Sequence, residues 1–94
     1  MVYLISQVEV VDETLAGLYR ELAALSIEKF SGKYIVRGAD AVSLEGKSTG
    51  RKIVIVEFPS EQQLIKWYNS DEYSQALRYR EKALVRDLFY VEGI

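Results

Sequence analysis

The clearest pattern in the chain lies at residues 53–56, where four consecutive positions, Ile-Val-Ile-Val, are apolar. A strand with this sequence presents apolar side chains to both faces of its sheet, so both faces must be covered. Pro59 ends the strand, and Ser60 is suited to cap a following helix, with Gln63 placed to complete a capping box. We therefore predict a central strand over residues 51–58 that leads directly into a helix.

Periodicity also defines the elements that precede this strand. Residues 1–11 place a more apolar and a mixed set of side chains on opposite faces, which predicts the first strand. Asp12 is suited to cap a helix whose leucines recur at spacings of three and four. These leucines are Leu15, Leu18, Leu22 and Leu25. We expect this helix to end at Gly32, in the left-handed conformation that glycine adopts readily.

A second strand is predicted over residues 34–37, with a bulge at Gly38 and an extension over residues 41–44. The polar residues 45–50, bounded by glycines, are typical of a hairpin connection between two strands. The second strand should therefore pair with the central one.

The C-terminal part of the chain contains a second set of capping residues at 69–72. They predict a break near Asn69-Ser70, followed by a helical segment from Asp71 through Leu84. Residues 88–91, Leu-Phe-Tyr-Val, predict the last strand.

This order of elements, βαββαβ, predicts a single domain over residues 1–94 of the α+β class with a ferredoxin-like fold. Such a fold has a four-stranded antiparallel sheet with two helices on one face, the second helix here being broken. Since the strand at residues 53–56 is apolar on both sides, the open face should meet a second copy of the chain. We therefore expect a homodimer of the dimeric α/β-barrel type.

Composition removes several kinds of chemistry. The chain has no cysteine and no histidine, which excludes thiolate nucleophiles, zinc–thiolate sites, iron–sulfur clusters and histidine ligation of haem. We therefore expect no cofactor and no metal site. No apolar run is long enough to span a bilayer and no secretory signal is recognisable, so the expected location is cytoplasmic, without a membrane partner.

Nucleic acid is not an expected partner either. The formal charge of −2 and pI of about 5.1 lack the basic surplus that phosphate backbones favour. The RNA-recognition module shares the predicted order of elements, but it uses aromatic side chains in a basic strand motif. Residues 52–58 are instead mainly aliphatic and include Glu57.

Several segments carry a family resemblance. They are the run 32–38, the turn 44–46, residues 54–60, residues 67–73 and Arg80. Together they resemble the small bacterial family catalogued as domain of unknown function 1330, over essentially the whole chain. The resemblance implies a ferredoxin-like fold in the dimeric α/β-barrel superfamily and no established reaction. Ser31 departs from the family pattern, in which a second glycine often precedes Gly32.

Six side chains are candidates for a ligand site between sheet and helices. They are Arg37, Arg51, Glu57, Trp67, Tyr73 and Arg80. Guanidinium groups would bind a carboxylate or enolate, and the Tyr73 hydroxyl would orient it. The alternative is that the arginines form structural salt bridges with Glu45, Glu57 and Asp71, and that the aromatic rings fill the core.

These observations favour a cytoplasmic homodimer that binds a small organic acid between sheet and helices. Two functional classes stay open from the residues alone. One is a cofactor-independent enzyme, by analogy with monooxygenases of antibiotic biosynthesis that the implied superfamily contains. The other is a non-catalytic dimeric binding or interaction module.

Overall fold

The computed structural model describes residues 1–94 as four strands and three helices. The strands are β1 (Val2–Val10), β2 (Lys33–Asp40), β3 (Lys52–Phe58) and β4 (Leu84–Glu92). The helices are α1 (Glu13–Lys29), α2 (Glu61–Tyr68) and α3 (Asp71–Ala83). All strand pairs are antiparallel, in the order β2-β3-β1-β4. This arrangement confirms the predicted ferredoxin-like fold of the α+β class.

Each helix begins at a capping side chain that the sequence places there. Asp12 accepts a hydrogen bond from the Leu15 amide at 3.0 Å, and Ser60 accepts one from the Gln63 amide at 3.2 Å. Ser70 caps α3 in the same way, which confirms the predicted break between α2 and α3. These bonds satisfy amide groups that have no partner within the helix. None of the helices is both long and apolar enough to cross a membrane.

The two faces of the sheet have different surroundings. The core lies between the helices and one face, where Leu4 of β1 pairs with Val56 of β3 and both are buried. The neighbouring pair, Ile5 and Ile55, points to the other face, which no helix covers. The register thus confirms that β3 is apolar on both sides, and it leaves one apolar sheet face open.

Strand β2 differs from the prediction at its end. Its register shifts twice against β3, and the second shift, between Arg37 and Ala39, confirms the bulge predicted at Gly38. The predicted extension over residues 41–44 is wrong, because β2 ends at Asp40, which pairs with the first residue of β3. Beyond that pair no strand faces the chain, and residues 41–51 form a loop in which Leu44 is 97% exposed.

The boundary between α3 and β4 also differs from the prediction. Leu84 does not continue the helix but begins β4, paired with Val10 of β1. The junction is held by the Ala83 carbonyl, which accepts hydrogen bonds from the amides of Val11 and Asp12 at 2.8 and 3.0 Å. Because β1 offers a partner along this whole length, residues 84–87 join the sheet.

The turn after α1 uses glycine for a different reason from the one predicted. Ser31, with φ of 66°, is the left-handed residue, and Gly32 is not in that conformation. A Cβ atom at Gly32 would lie 2.6 Å from Ile27 Cγ2 and 2.9 Å from the Phe58 ring. Gly32 therefore provides space for the close approach of α1 to β3.

Two glycine substitutions test this packing. Gly32→Ala should lower the free energy of unfolding by about 1–3 kcal/mol, because the added methyl group overpacks the core. Gly17→Ala, within α1 and with no atom within 4 Å of the added Cβ, should raise it by about 0.5–1 kcal/mol. Urea unfolding of both variants gives the comparison. Effects of the same sign would contradict the contact at Gly32.

Candidate functional site

A cavity of about 420 Å³ lies between the inner face of the sheet and α1. All four strands contribute to it, together with α1 and Trp67 of α2. Twelve of its 19 lining residues are hydrophobic, among them Leu4, Val8, Val54 and Val56 on the sheet. A cavity of this size, mainly apolar with a few polar groups, suits a small organic ligand.

Three polar side chains, here called the Tyr–Tyr–Arg cluster, join the sheet to two helices beside this cavity. The hydroxyls of Tyr19 on α1 and Tyr73 on α3 lie 2.8 Å apart. Arg86 on β4 donates from Nη1 to the Tyr19 hydroxyl at 2.6 Å and from Nη2 to the Tyr73 hydroxyl at 2.5 Å. Tyr19 and Arg86 also line the cavity directly.

One phenol O–H of the cluster has no acceptor within the cluster. Arginine only donates, so both phenol oxygens accept from Arg86, and one phenol donates to the other. The remaining phenol O–H is not used within the cluster. When Tyr73 donates to Tyr19, the free O–H belongs to Tyr19, which lines the cavity.

Burial sets the charge state of the cluster. Desolvation, followed by the proximity of Tyr73, raises the pKa of Tyr19, so this phenol is neutral near physiological pH. Burial works against the charged form of Arg86, but Tyr19 and Tyr73 outweigh it, and the pKa of Arg86 is raised. Arg86 is therefore a partly buried cation, and no carboxylate lies within salt-bridge distance of it.

The charged residues that line the cavity are mainly basic. They are Arg20, Arg37, Lys52, Arg86 and Glu13. Arg20 and Lys52 each pair with a carboxylate, at 3.3 and 2.6 Å. Arg37 has no such partner and instead lies over the Tyr34 ring, 4.3 Å from its centroid. The cavity thus has a positive surplus although the chain carries a formal charge of −2.

Three of the six predicted site residues lie in or beside the cavity. Arg37 and Trp67 line it, and Tyr73 belongs to the Tyr–Tyr–Arg cluster. Trp67 is fully buried, and its indole Nε1 donates to Ser26 Oγ at 3.0 Å. Trp67 therefore combines core packing with a position on the cavity wall.

The other three predicted residues are not brought to the cavity. Arg51 forms a salt bridge with Asp87 at 2.7 Å, and Glu57 lies opposite Tyr3 in the sheet register, on the open face. Arg80 on α3 forms no salt bridge and does not line the cavity. The ligand-binding role of the six residues stays a prediction. The alternative prediction paired the arginines with Glu45, Glu57 and Asp71, whereas Arg51 pairs with Asp87.

Arg86 is the central residue of the site that was not predicted from the sequence. The predicted helix ran through Leu84 and the predicted strand began at Leu88, so Arg86 fell between elements. A usable signal was present, because Leu84, Arg86 and Leu88 lie two residues apart and would share one face of a strand, opposite Val85 and Asp87. That alternation places the arginine on the apolar, inward face of a strand, as the structure shows.

The element order, the antiparallel sheet and the cavity beneath α1 define a protein with a ferredoxin-like fold of the α+β class. Within this class, the chain matches the model of the family Domain of unknown function (DUF1330) over residues 1–94. The chain belongs to that family, which confirms the resemblance found in the sequence.

Solved structures support the fold. A protein of unknown function from Rhodopseudomonas palustris has a TM-score of 0.82 at 16% identity, covering 99% of this chain and 82% of that one. A putative antibiotic biosynthesis monooxygenase from Nitrosomonas europaea has a TM-score of 0.66 at 13% identity, covering 100% and 99%. A cofactor-independent oxygenase from Streptomyces nogalater has a TM-score of 0.62 at 7% identity, covering 99% and 92%. A search of curated proteins gave no match.

The raised pKa of Tyr19 predicts a loss of stability in alkali. The folded state holds the phenol proton more tightly than the unfolded chain, so this stabilisation is complete below about pH 10 and declines as pH rises further. Tyr19→Phe should be less stable than wild type at pH 8 but should lose less stability between pH 9 and 11. The measurement is urea unfolding across this range, with Tyr90→Phe as a control that removes a phenol outside the cluster. Parallel curves for wild type and Tyr19→Phe would contradict the prediction.

Proposed function

We propose that the protein binds a small organic acid in the cavity between the sheet and α1. The observation that carries this proposal is Arg86, a partly buried cation that lines a largely apolar cavity without a carboxylate partner. A charge in such surroundings is stabilised best by an opposite charge and by hydrogen bonds. The carboxylate of a ligand supplies both.

The donors around Arg86 suit a carboxylate. Two of its five N–H groups are used on Tyr19 and Tyr73, which leaves others for a ligand oxygen. When Tyr73 donates to Tyr19, the O–H of Tyr19 is a further donor on the cavity wall. Arg37, also without a carboxylate partner, adds a second cation to the cavity wall. The apolar remainder of the lining accommodates a hydrocarbon body, so the preferred ligand has an acidic head and an apolar tail.

A cofactor-independent enzyme is the second candidate function. Arg86 would stabilise negative charge that develops on a substrate oxygen, as in an enolate, and the O–H of Tyr19 would add to this when Tyr73 donates to Tyr19. The fold is shared with a cofactor-independent oxygenase from Streptomyces nogalater. Proton abstraction by Tyr19 near neutral pH is disfavoured, since its pKa is raised and its basic form is scarce. The site therefore favours binding and charge stabilisation over base catalysis.

Binding of an organic acid is tested with 4-phenylbutanoate, an acid with an apolar body. Isothermal titration calorimetry should show binding to wild type and a loss of about 10-fold or more in Arg86→Gln, because a charge-assisted hydrogen bond is removed. Arg51→Gln is the matched control, since Arg51 does not line the cavity and pairs with Asp87. Its affinity should equal that of wild type.

Two outcomes would contradict the binding site. One is the absence of any binding to wild type, and the other is an equal loss in Arg51→Gln and Arg86→Gln. Near-ultraviolet circular dichroism establishes that each variant is folded. Arg86→Lys, which retains the charge but not the fork of donors, should bind with intermediate affinity.

We also propose that a second copy of the chain covers the open face of the sheet. This face carries an apolar group of side chains from three strands. They are Tyr3, Ile5, Ile53, Ile55, Phe89 and Val91. Phe89 and Val91 are 42% and 45% exposed, and apolar patches of this kind are typical of subunit interfaces.

The cytoplasmic location expected from the sequence stays a prediction.

The dimer is tested by a charge at the centre of this face. Ile55→Glu should convert a dimer into a monomer, because it would bury an unpaired carboxylate between the two sheets. Leu25→Glu on α1, where Leu25 is 62% exposed, is the control and should remain dimeric. Sedimentation velocity at micromolar concentration gives the result. A monomeric wild type, or a dimeric Ile55→Glu, would contradict the proposed interface.

A further inference from the structure

The floor of the cavity contains a buried hydroxyl that the proposed carboxylate site does not use. Ser6 of β1 lines the cavity and is only 5% exposed, and its Oγ has no hydrogen-bond partner in the protein. On the sheet it lies between Val54 and Leu88, which are both apolar. The Ser6 hydroxyl is therefore a single polar group with apolar side chains on both neighbouring strands.

A second buried serine shows that this is not the usual arrangement in the molecule. Ser26 on α1 is 2% exposed, donates to the Ala23 carbonyl at 2.7 Å and accepts from the Trp67 indole at 3.0 Å. Buried hydroxyls are nearly always paired in this way, because an unpaired one costs free energy. Ser6 carries that cost without a protein partner to offset it.

We infer that Ser6 hydrogen-bonds to an oxygen on the body of the ligand, so that the ligand is a hydroxy or oxo acid. The Ser6 Oγ is enclosed in the unliganded protein, so this contact requires rotation about the Cα–Cβ bond of Ser6 to a staggered position that faces the cavity. A hydroxyl both donates and accepts, so it pairs with a ligand carbonyl or a ligand hydroxyl. This inference rests on the proposed acid-binding function and specifies the class of acid.

The sheet register places Ser6 and Arg86 at two points of one binding surface. Ser6 pairs with Leu88 and Val8 pairs with Arg86, so Ser6 and Arg86 are diagonal neighbours on adjacent strands. Such neighbours are separated by about 7–8 Å between their Cα atoms. The guanidinium extends from there to Tyr19 and Tyr73 on the helices, whereas Ser6 stays on the floor. Arg86 thus binds the acidic head, and Ser6 contacts the body.

The test compares one acid with oxygen-bearing derivatives of the same acid. The probes are 4-phenylbutanoate, its 2-oxo and 4-oxo derivatives and its 4-hydroxy derivative. Calorimetry should show that wild type binds at least one oxygenated probe about 3- to 10-fold more tightly than 4-phenylbutanoate. Ser6→Ala should bind 4-phenylbutanoate as wild type does and should lose this preference. Ser26→Ala, the matched control, should retain it.

Thermal unfolding without ligand provides an independent measurement. Ser6→Ala should leave the Tm unchanged or raise it, because the removed hydroxyl has no partner. Ser26→Ala should lower the Tm, because it leaves the Trp67 indole unpaired. A lowered Tm in Ser6→Ala would show that the hydroxyl is already bonded and would overturn the inference.

The outcomes separate the inference from the function on which it rests. Binding of 4-phenylbutanoate without any preference for an oxygenated probe would overturn the role of Ser6 and leave the acid site standing. If Ser6→Ala still prefers an oxygenated probe to 4-phenylbutanoate, the role of Ser6 is likewise overturned and the acid site is unaffected. Failure of wild type to bind any of the four acids would overturn the proposed function, and the inference with it.

Discussion

The guanidinium of Arg86 connects the last strand to both long helices, and the arrangement of the cavity depends on it. Burying a cation without a carboxylate partner is costly, and here the oxygens of Tyr19 and Tyr73 offset part of that cost. The three side chains occupy positions between sheet and helices that apolar side chains fill elsewhere in the core. The cluster thus holds α1 against the sheet while leaving a polar wall beside the cavity.

The proposed function depends on the cavity and not on the fold. Ferredoxin-like sheets support many unrelated functions, and the three solved structures of similar fold share only 7–16% identity with this chain. What distinguishes the site is its chemistry, an apolar cavity with unpaired Arg37 and Arg86 in an otherwise acidic chain. An anionic ligand with an apolar body matches that combination. The unpaired hydroxyl of Ser6 favours a ligand that also carries a hydroxyl or carbonyl oxygen on this body.

Local signals predicted most of the fold. The capping residues marked the starts of the helices correctly, and the doubly apolar strand at residues 53–56 predicted the open sheet face. The errors lie where hydrogen bonding to a neighbouring strand decides whether a segment forms a strand, a helix or a loop. Leu84 suits a helix or a strand, and the neighbouring β1 determines which forms, whereas residues 41–44 lack a partner and remain a loop. Of the candidate site, Arg37, Trp67 and Tyr73 were predicted near the cavity, but Arg86 was not.

The sequence by itself determined the order of the elements, the starts of the helices and the need to cover both faces of the sheet. These properties depend on residues within a few positions of one another, such as a capping side chain and the amide three residues on. Only the tertiary structure decided the site. Tyr19 and Tyr73 are 54 residues apart, and Arg86 is 67 residues from Tyr19. They meet because β4 pairs with β1 beneath two packed helices, a constraint that no local pattern contains.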